Sequence, residues 1–96
     1  MLRERDIENY LRDQVKQIGG IAYKFESPGN AGVPDRLVLF PKGRVYFVEL
    51  KAPGKNPTKL QLLQHRRINQ MGHEVLIIDS KEKVDRFIAK VMANEI

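Results

Sequence analysis

The stretch Gly32–Lys51, GVPDRLVLFPKGRVYFVELK, carries most of the information that decides the fold. It reads as two apolar strands joined by the short turn Pro41-Lys42-Gly43. Strands of this composition are typical of a buried sheet. They nevertheless include three charged residues that such strands normally lack: Asp35, Glu49 and Lys51. The sequence therefore predicts a core hairpin with a charged group at one end.

The flanking sequence predicts three helices and two further strands. Apolar residues spaced by three or four, beginning at Ile7, predict the first helix, and Gly19-Gly20 ends it. Asn56-Pro57 predicts the start of the second helix, with Asn as the cap and Pro in the first turn. The predicted elements are a helix over 3–18, strands over 21–26, 35–40 and 44–51, a helix from Asn56 to about Met71, a strand over 74–79, and a helix capped by Ser80 that runs to about Ala93.

This α-β-β-β-α-β-α order predicts an α/β fold. Apolar residues on both faces of the middle strands predict a mixed sheet with helices packed on both sides. At 96 residues, with 42% hydrophobic and 30% charged residues, the chain is expected to form a single domain over 1–96. We find no cysteine, and no apolar run approaches the roughly 18 residues that cross a membrane. An intracellular protein without a membrane partner is the expectation.

The charge balance favours a polyanionic partner. Seventeen Lys and Arg residues against twelve Asp and Glu residues give a net charge of +5, which suits nucleic acid. Basic residues that follow the hairpin are candidates for phosphate contacts: Lys55, Lys59, Arg66 and Arg67. The alternative is that these side chains are simply solvated.

Strand register brings the hairpin charges together. If the turn comprises residues 41–43, Phe40 faces Arg44, and the same register sets Asp35 across from Glu49. Lys51 lies two residues beyond Glu49 and therefore projects from the same face. Facing carboxylates repel each other unless a positive charge lies between them. Either Lys51 neutralises both acids as a surface ion pair, or a divalent cation binds there. Hard oxygen ligands favour Mg²⁺ or Mn²⁺, which would keep waters and take phosphate oxygens.

These residues resemble a known signature. Pro34-Asp35, thirteen intervening residues and then Glu49-Leu50-Lys51 are similar to the PD-(D/E)xK motif of metal-dependent nucleases. Two sequence segments most resemble the virus-type replication-repair nuclease (VRR-NUC) domain in its compact phage form: GGIAYKFESPGNAGVPDR and VYFVELKAPGKNPTKLQ. The similarity spans nearly the whole chain. It implies the restriction-endonuclease-like αβββαβ core, with the last helix added.

The resemblance also implies roles for individual residues. Asp35 and Glu49 would bind the metal, with the Leu50 carbonyl as a further ligand. Lys51 would orient or help to deprotonate the attacking water and stabilise charge on the phosphoryl group. One of two glutamines, Gln61 or Gln64, would hydrogen-bond the lysine or the water, and Gln61 matches the family position.

The first helix of this superfamily often supplies another glutamate. Glu4 and Glu8 both flank the apolar stripe, and spacing similar to archaeal Holliday-junction resolvases favours Glu8. The histidines, His65 and His73, are expected on the surface, because oxygen ligands already account for the site. The aromatic residues Tyr10, Tyr23, Phe25, Tyr46 and Phe47 are expected in the core.

The implied function is a Mg²⁺- or Mn²⁺-dependent, structure-specific DNA endonuclease without a small-molecule cofactor. Branched DNA such as Holliday junctions is the implied substrate, in recombination, repair or replication of a prokaryotic or phage-infected cell. Small family members resemble homodimers, whose two sites suit symmetric cutting. Two alternatives stay open: a nuclease acting on flaps, nicks or ends, and a catalytically silent nucleic-acid-binding subunit.

Overall fold

The computed structural model describes residues 2–93, and its elements follow the predicted order. The outer ends of the predicted 1–96 domain, Met1 and residues 94–96, lie outside this range. The elements are α1 (Glu4–Gln17), β1 (Ile21–Lys24), β2 (Arg36–Phe40), β3 (Arg44–Leu50), α2 (Lys59–Gln70), β4 (Glu74–Ile78) and α3 (Lys81–Ala93). No helix within the described range is long and apolar enough to cross a membrane.

The sheet has the order β1-β2-β3-β4 and is mixed, as predicted. β1 and β3 pair antiparallel with β2, whereas β4 pairs parallel with β3. The hairpin register is also the predicted one, because Phe40 lies opposite Arg44 and Arg36 lies opposite Val48. The turn between these strands uses positive φ at Lys42 (71°) and Gly43 (75°).

One face of the sheet holds the hydrophobic core. Helices α1 and α3 pack against each other and against this face. Their buried stripes have the helical spacing expected from the sequence, with Ile7, Leu11 and Val15 fully buried on α1. The even-numbered residues of β2 and β3 complete the core: Val38, Phe40, Val48 and Leu50. Tyr46 packs against the same cluster, as predicted for this ring.

The other face is only partly covered. Helix α2 packs against β4, and this side of the β1 edge remains open, with Ile21 50% exposed and Tyr23 53% exposed. The core prediction for Tyr23 was therefore wrong. The sequence could predict a helix on each side of the sheet, which is confirmed, but not that α2 covers only one end of its face.

Glycine and threonine set the ends of the helices that frame the sheet. Gly19, with φ of +86°, ends α1 in the left-handed conformation. Helix α2 begins two residues later than predicted, because its cap is Thr58 and not Asn56. The Thr58 side chain accepts a hydrogen bond from the backbone N–H of Gln61. Ser80 caps α3 as predicted, since its Oγ accepts from Lys83 N.

Candidate active site

The alternation of side chains along the hairpin separates the site from the core. Even-numbered residues of β2 and β3 face α1 and α3, so the odd-numbered residues face α2. Along this second face the rows Ile21–Leu39–Val45 and Tyr23–Leu37–Phe47 run across the three strands. The next position in the same register belongs to Asp35 and Glu49. The strand pattern therefore places an acidic pair at the end of an apolar surface.

Asp35 and Glu49 lie in contact at the end of the hairpin. Asp35 accepts a hydrogen bond from the backbone N–H of Leu50 through Oδ2, at 2.8 Å. Glu49 is 1% exposed. Its burial, together with the neighbouring Asp35 charge, raises the pKa of Glu49 from 4.5 to about 8. The pair therefore holds a proton at neutral pH unless a cation replaces it.

Lys51 and Gln61 surround the Glu49 carboxylate. The Lys51 ammonium donates to Gln61 Oε1 at 2.8 Å and lies 3.6 Å from Glu49 Oε2. Gln61 in turn donates from Nε2 to Glu49 Oε2 at 3.1 Å. The Gln61 amide thus links the Glu49 carboxylate to the Lys51 ammonium. Gln64 lies elsewhere: it is buried and donates to the Ala31 carbonyl at 3.3 Å.

The N-terminus of α2 fixes the Gln61 side chain. Gln61 Oε1 also accepts the backbone N–H of Thr58, at 2.9 Å, which completes a reciprocal capping box. The sequence analysis predicted Asn56 as the helix cap and did not identify Thr58. The signal was available, because Thr58-Lys59-Leu60-Gln61 fits the S/T-x-x-E/Q pattern of such boxes.

His65 is buried, so the prediction that it lies on the surface was wrong. It is 5% exposed, and its Nε2 lies 3.5 Å from Glu49 Oε1. Burial, followed by the Lys51 charge, lowers the pKa of His65. His65 lies one helical turn after Gln61, so the two share a face of α2. That spacing is the signal that could have placed it in the site. His73 is exposed, as predicted, with its ring 5.9 Å from that of Phe47.

The two candidate glutamates of α1 have different surroundings. Glu8 Oε2 accepts from Arg36 Nε at 2.8 Å, on the core side of the sheet. Arg36 is 5% exposed and also donates to the Ala22 carbonyl. Burial, and then the Asp35 charge, raises the pKa of Glu4. The structure thus brings Glu4 within electrostatic reach of Asp35, and Glu8 would have to leave Arg36 to join the site.

A loop before Pro34 forms one wall of the site and packs on α2. Gly32 has φ of +94°, and a Cβ there would lie 3.0 Å from the Leu60 carbonyl oxygen. Glycine is therefore needed both for the backbone conformation and for the close approach. Pro34 is buried, and Phe25 N–H donates to the Asp35 carbonyl at 2.9 Å. These contacts hold the backbone on either side of Asp35.

The four predicted phosphate-binding residues are all exposed: Lys55, Lys59, Arg66 and Arg67. Within residues 2–93 none of them forms an ion pair with an acid. By contrast, Lys83 is paired with Asp79, and Lys90 with Glu74. Three of the four lie on α2, the helix that supplies Gln61. Their charges remain available for an anionic ligand.

The donor set suits a hard divalent cation. Asp35 and Glu49 supply carboxylate oxygens, and a cation would offset both the burial and the Asp35 charge that raise the pKa of Glu49. The Leu50 carbonyl points to the same side of β3 as its N–H, which donates to Asp35. Residues 2–93 contain no group of three or more His, Cys, Asp or Glu side chains arranged to hold a metal. Waters or phosphate oxygens would therefore have to complete the coordination.

Comparison with known proteins identifies the kind of enzyme. A phage protein named "Putative nuclease p44", from Acyrthosiphon pisum secondary endosymbiont phage 1, is 54% identical over 82 residues, which are 85% of this chain and 88% of that protein. A solved structure named "VRR_NUC domain" superposes with a TM-score of 0.85 at 31% identity, covering 93% of this chain and 97% of that one. No family model matches the sequence.

The shared fold and the relatives define a nuclease, as predicted. The mixed sheet with helices on both faces is the fold of the solved relative. The chain belongs to the VRR-NUC family.

Proposed function

We propose that this nuclease is a Mg²⁺- or Mn²⁺-dependent endonuclease that cuts branched DNA. The observation that carries the proposal is the contact between two acids, Asp35 and buried Glu49, beside the ammonium of Lys51. Such an arrangement is costly in a metal-free protein and useful in one that binds a cation and a phosphate. The structural alternative is that Lys51 neutralises both acids, but the Lys51 charge offsets less of the rise in the Glu49 pKa than burial and the Asp35 charge cause.

Asp35, Glu49 and the Leu50 carbonyl would hold the ion, which when bound supplies Lewis acidity towards the phosphate and a more acidic water. In hydrolysis, a water oxygen bonds to phosphorus while the bond from phosphorus to one sugar oxygen breaks. Lys51 lies 3.6 Å from Glu49, where it would orient the water and offset charge that develops on the phosphoryl oxygens. Gln61 accepts a hydrogen bond from the Lys51 ammonium at 2.8 Å and, being neutral, adds no charge that would repel the cation.

Recognition of DNA shape fits the distribution of charge. The unpaired cations of α2 and of the preceding loop can contact phosphates. Phosphate contacts fix how a protein is oriented on DNA but do not distinguish one base sequence from another. The described residues form one sheet and three helices, with no element left over as a separate base-reading module. Holliday junctions are the substrate that we favour, in recombination or repair inside a prokaryotic or phage-infected cell.

A second copy of the chain would supply the second cut. The half-exposed rows that begin with Ile21 and Tyr23 form an apolar surface that ends at the acidic pair. A homodimer through this face would bury it and place two sites near one interface. Ile21→Lys combined with Tyr23→Lys should yield a folded monomer in sedimentation experiments. A dimer that withstands both changes would have another interface.

The deciding experiment compares single-turnover cleavage of a synthetic four-way junction, a flap, a nicked duplex and single-stranded DNA in Mn²⁺, Mg²⁺, Ca²⁺ and EDTA. We expect the four-way junction to be cut fastest, Mn²⁺ to support cutting at least as well as Mg²⁺, and EDTA to abolish it. Ca²⁺ should bind with little turnover.

Each other outcome has a defined meaning. Faster cutting of flaps or nicks would show that the preferred substrate is not a four-way junction, while the proposed active site would stand. Full activity in EDTA would refute metal dependence. DNA binding without cleavage of any substrate would identify a silent binding subunit.

A further inference from the structure

His65 makes a polar contact deep in the protein. Its Nε2 lies 3.5 Å from Glu49 Oε1, while Gln61 Nε2 lies 3.1 Å from Glu49 Oε2. Because the two residues are one helical turn apart, one face of α2 contacts both oxygens of a single carboxylate. The nearby helix start is itself fixed by the capping box at Thr58.

The surroundings of His65 are otherwise largely apolar. A cavity of about 340 Å³ between α2 and β4 is lined by His65 together with Leu62, Val75 and Ile77, and by Arg66 and Asn69. A polar ring buried next to apolar side chains is unfavourable unless it has a hydrogen-bond partner. Glu49 is the partner that the structure provides, and every buried side-chain nitrogen and oxygen in the described range has one.

We infer that His65 is a positioning residue that acts with Gln61 to fix the orientation of the Glu49 carboxylate. The inference rests on the proposed function, because orientation of Glu49 matters only if that residue takes part in the reaction. When Glu49 is ionised, His65 donates from Nε2 to Oε1 and Gln61 donates to Oε2. Both oxygens are then held from the α2 side, which restricts rotation of the carboxylate. Partners of this kind orient ligand groups and tune the affinity for an ion.

Three substitutions separate positioning from packing. His65→Gln keeps an amide N–H near the position of Nε2, His65→Asn is one methylene shorter, and His65→Phe keeps a ring without a donor. The measurements are the Mn²⁺ affinity of the DNA-free protein by calorimetry, the single-turnover cleavage rate, DNA affinity and thermal stability. His73→Asn, at the exposed histidine, is the matched control.

We expect His65→Asn and His65→Phe to lower the Mn²⁺ affinity or the cleavage rate by about 10- to 100-fold with unchanged DNA affinity. His65→Gln should recover most of the loss, and the control should match the wild type. Recovery by Phe but not by Gln would overturn the inference in favour of packing. If Phe does not fold, the comparison of Gln with Asn decides, and equal values for the two would refute positioning.

Failure of the inference and failure of the proposed function give different results. Wild-type protein that binds Mn²⁺ and cuts DNA, beside His65 variants that do both equally well, would refute the inference alone. Wild-type protein that neither binds Mn²⁺ nor cuts any DNA would refute both.

Discussion

The two faces of the sheet treat charge in opposite ways. On the α1–α3 face, the buried Arg36 guanidinium is paired at 2.8 Å with Glu8, whose side chain is 22% exposed. On the α2 face, two acids, Asp35 and Glu49, lie in contact, with Lys51 3.6 Å from Glu49. The first arrangement pairs opposite charges within the chain, whereas the second places two acids together, and a proton or a cation relieves their repulsion. Asp35 and Arg36 are neighbours in sequence but lie on different faces of the sheet.

The largest effect should follow from neutralising the acidic pair. Asp35→Asn or Glu49→Gln should lower single-turnover cleavage by at least about 10²-fold, because each removes a charge proposed to hold the ion. The fold should be retained, and its stability should stay equal or rise, since a repulsive contact is lost. Circular dichroism and thermal melts check the fold. A folded variant that cuts at the wild-type rate would remove that residue from the site.

Lys51→Ala should lower cleavage by about 10²- to 10³-fold while Mn²⁺ and DNA still bind. The reason is that the ammonium is proposed to act mainly on charge that develops in the transition state. Lys51→Arg should restore little, because a planar guanidinium is larger and does not fit the same hydrogen bond to Gln61. If Lys51→Ala melts early and cuts normally, the lysine only neutralises the acids.

The metal-free protein should lose stability as the pH rises from about 4.5 to about 8. The raised pKa of Glu49 means that the folded state keeps a proton in this window after the unfolded state has released it. Stability from this group is therefore complete below pH 4.5 and is lost as the pH passes 8. Urea unfolding in EDTA, compared with Glu49→Gln, measures the effect. Parallel pH profiles for the two proteins would contradict it.

Substitutions at the Arg36–Glu8 ion pair on the α1–α3 face should lower the free energy of unfolding and leave the cleavage rate unchanged. Glu8→Ala should cost about 2–3 kcal/mol, somewhat less than a fully buried pair, because it leaves Arg36 without its partner while the Glu8 side chain is 22% exposed. Glu4→Ala should cost less than about 1 kcal/mol but slow cleavage if Glu4 joins the site. Denaturant titrations and cleavage rates distinguish the two. A folded, inactive Glu8→Ala variant would instead support the Glu8 ligand implied by the family.

The smallest effect concerns the start of α2. Thr58→Ala should cost about 1 kcal/mol through loss of the cap and should also slow cleavage, since Gln61 loses part of its support. Ser80→Ala is the matched control, because Ser80 caps α3 with a similar bond at 3.1 Å and lies outside the site. Equal cleavage rates for Thr58→Ala and Ser80→Ala would show that the Thr58 cap does not affect catalysis.

The hairpin shows why so much of the fold was predictable from the sequence. Its strands have the apolar pattern of a buried sheet, and its turn residues fix where pairing begins, so Phe40 opposite Arg44 follows from local signals. The same register, extended by one residue, places Asp35 opposite Glu49 from the sequence alone. Local patterns were sufficient here because the residues that meet are joined by one short turn.

The missed features depend on contacts between distant elements. The pairing of Arg36 with Glu8 joins β2 to α1, and the burial of His65 depends on how α2 lies over β3 and β4. No local pattern reports those orientations. Tyr23 was placed in the core for the same reason, because the extent of cover by α2 is a tertiary property.

The capping box makes the site depend on the most easily lost part of a helix. Helix ends open more readily than helix centres, and Gln61 is both the third residue of α2 and the amide that joins Lys51 to Glu49. Opening of one helical turn would therefore release the lysine while the rest of the sheet stays folded. On warming, catalytic competence should disappear before the global melt, with exchange of the Gln61 backbone amide as its early sign.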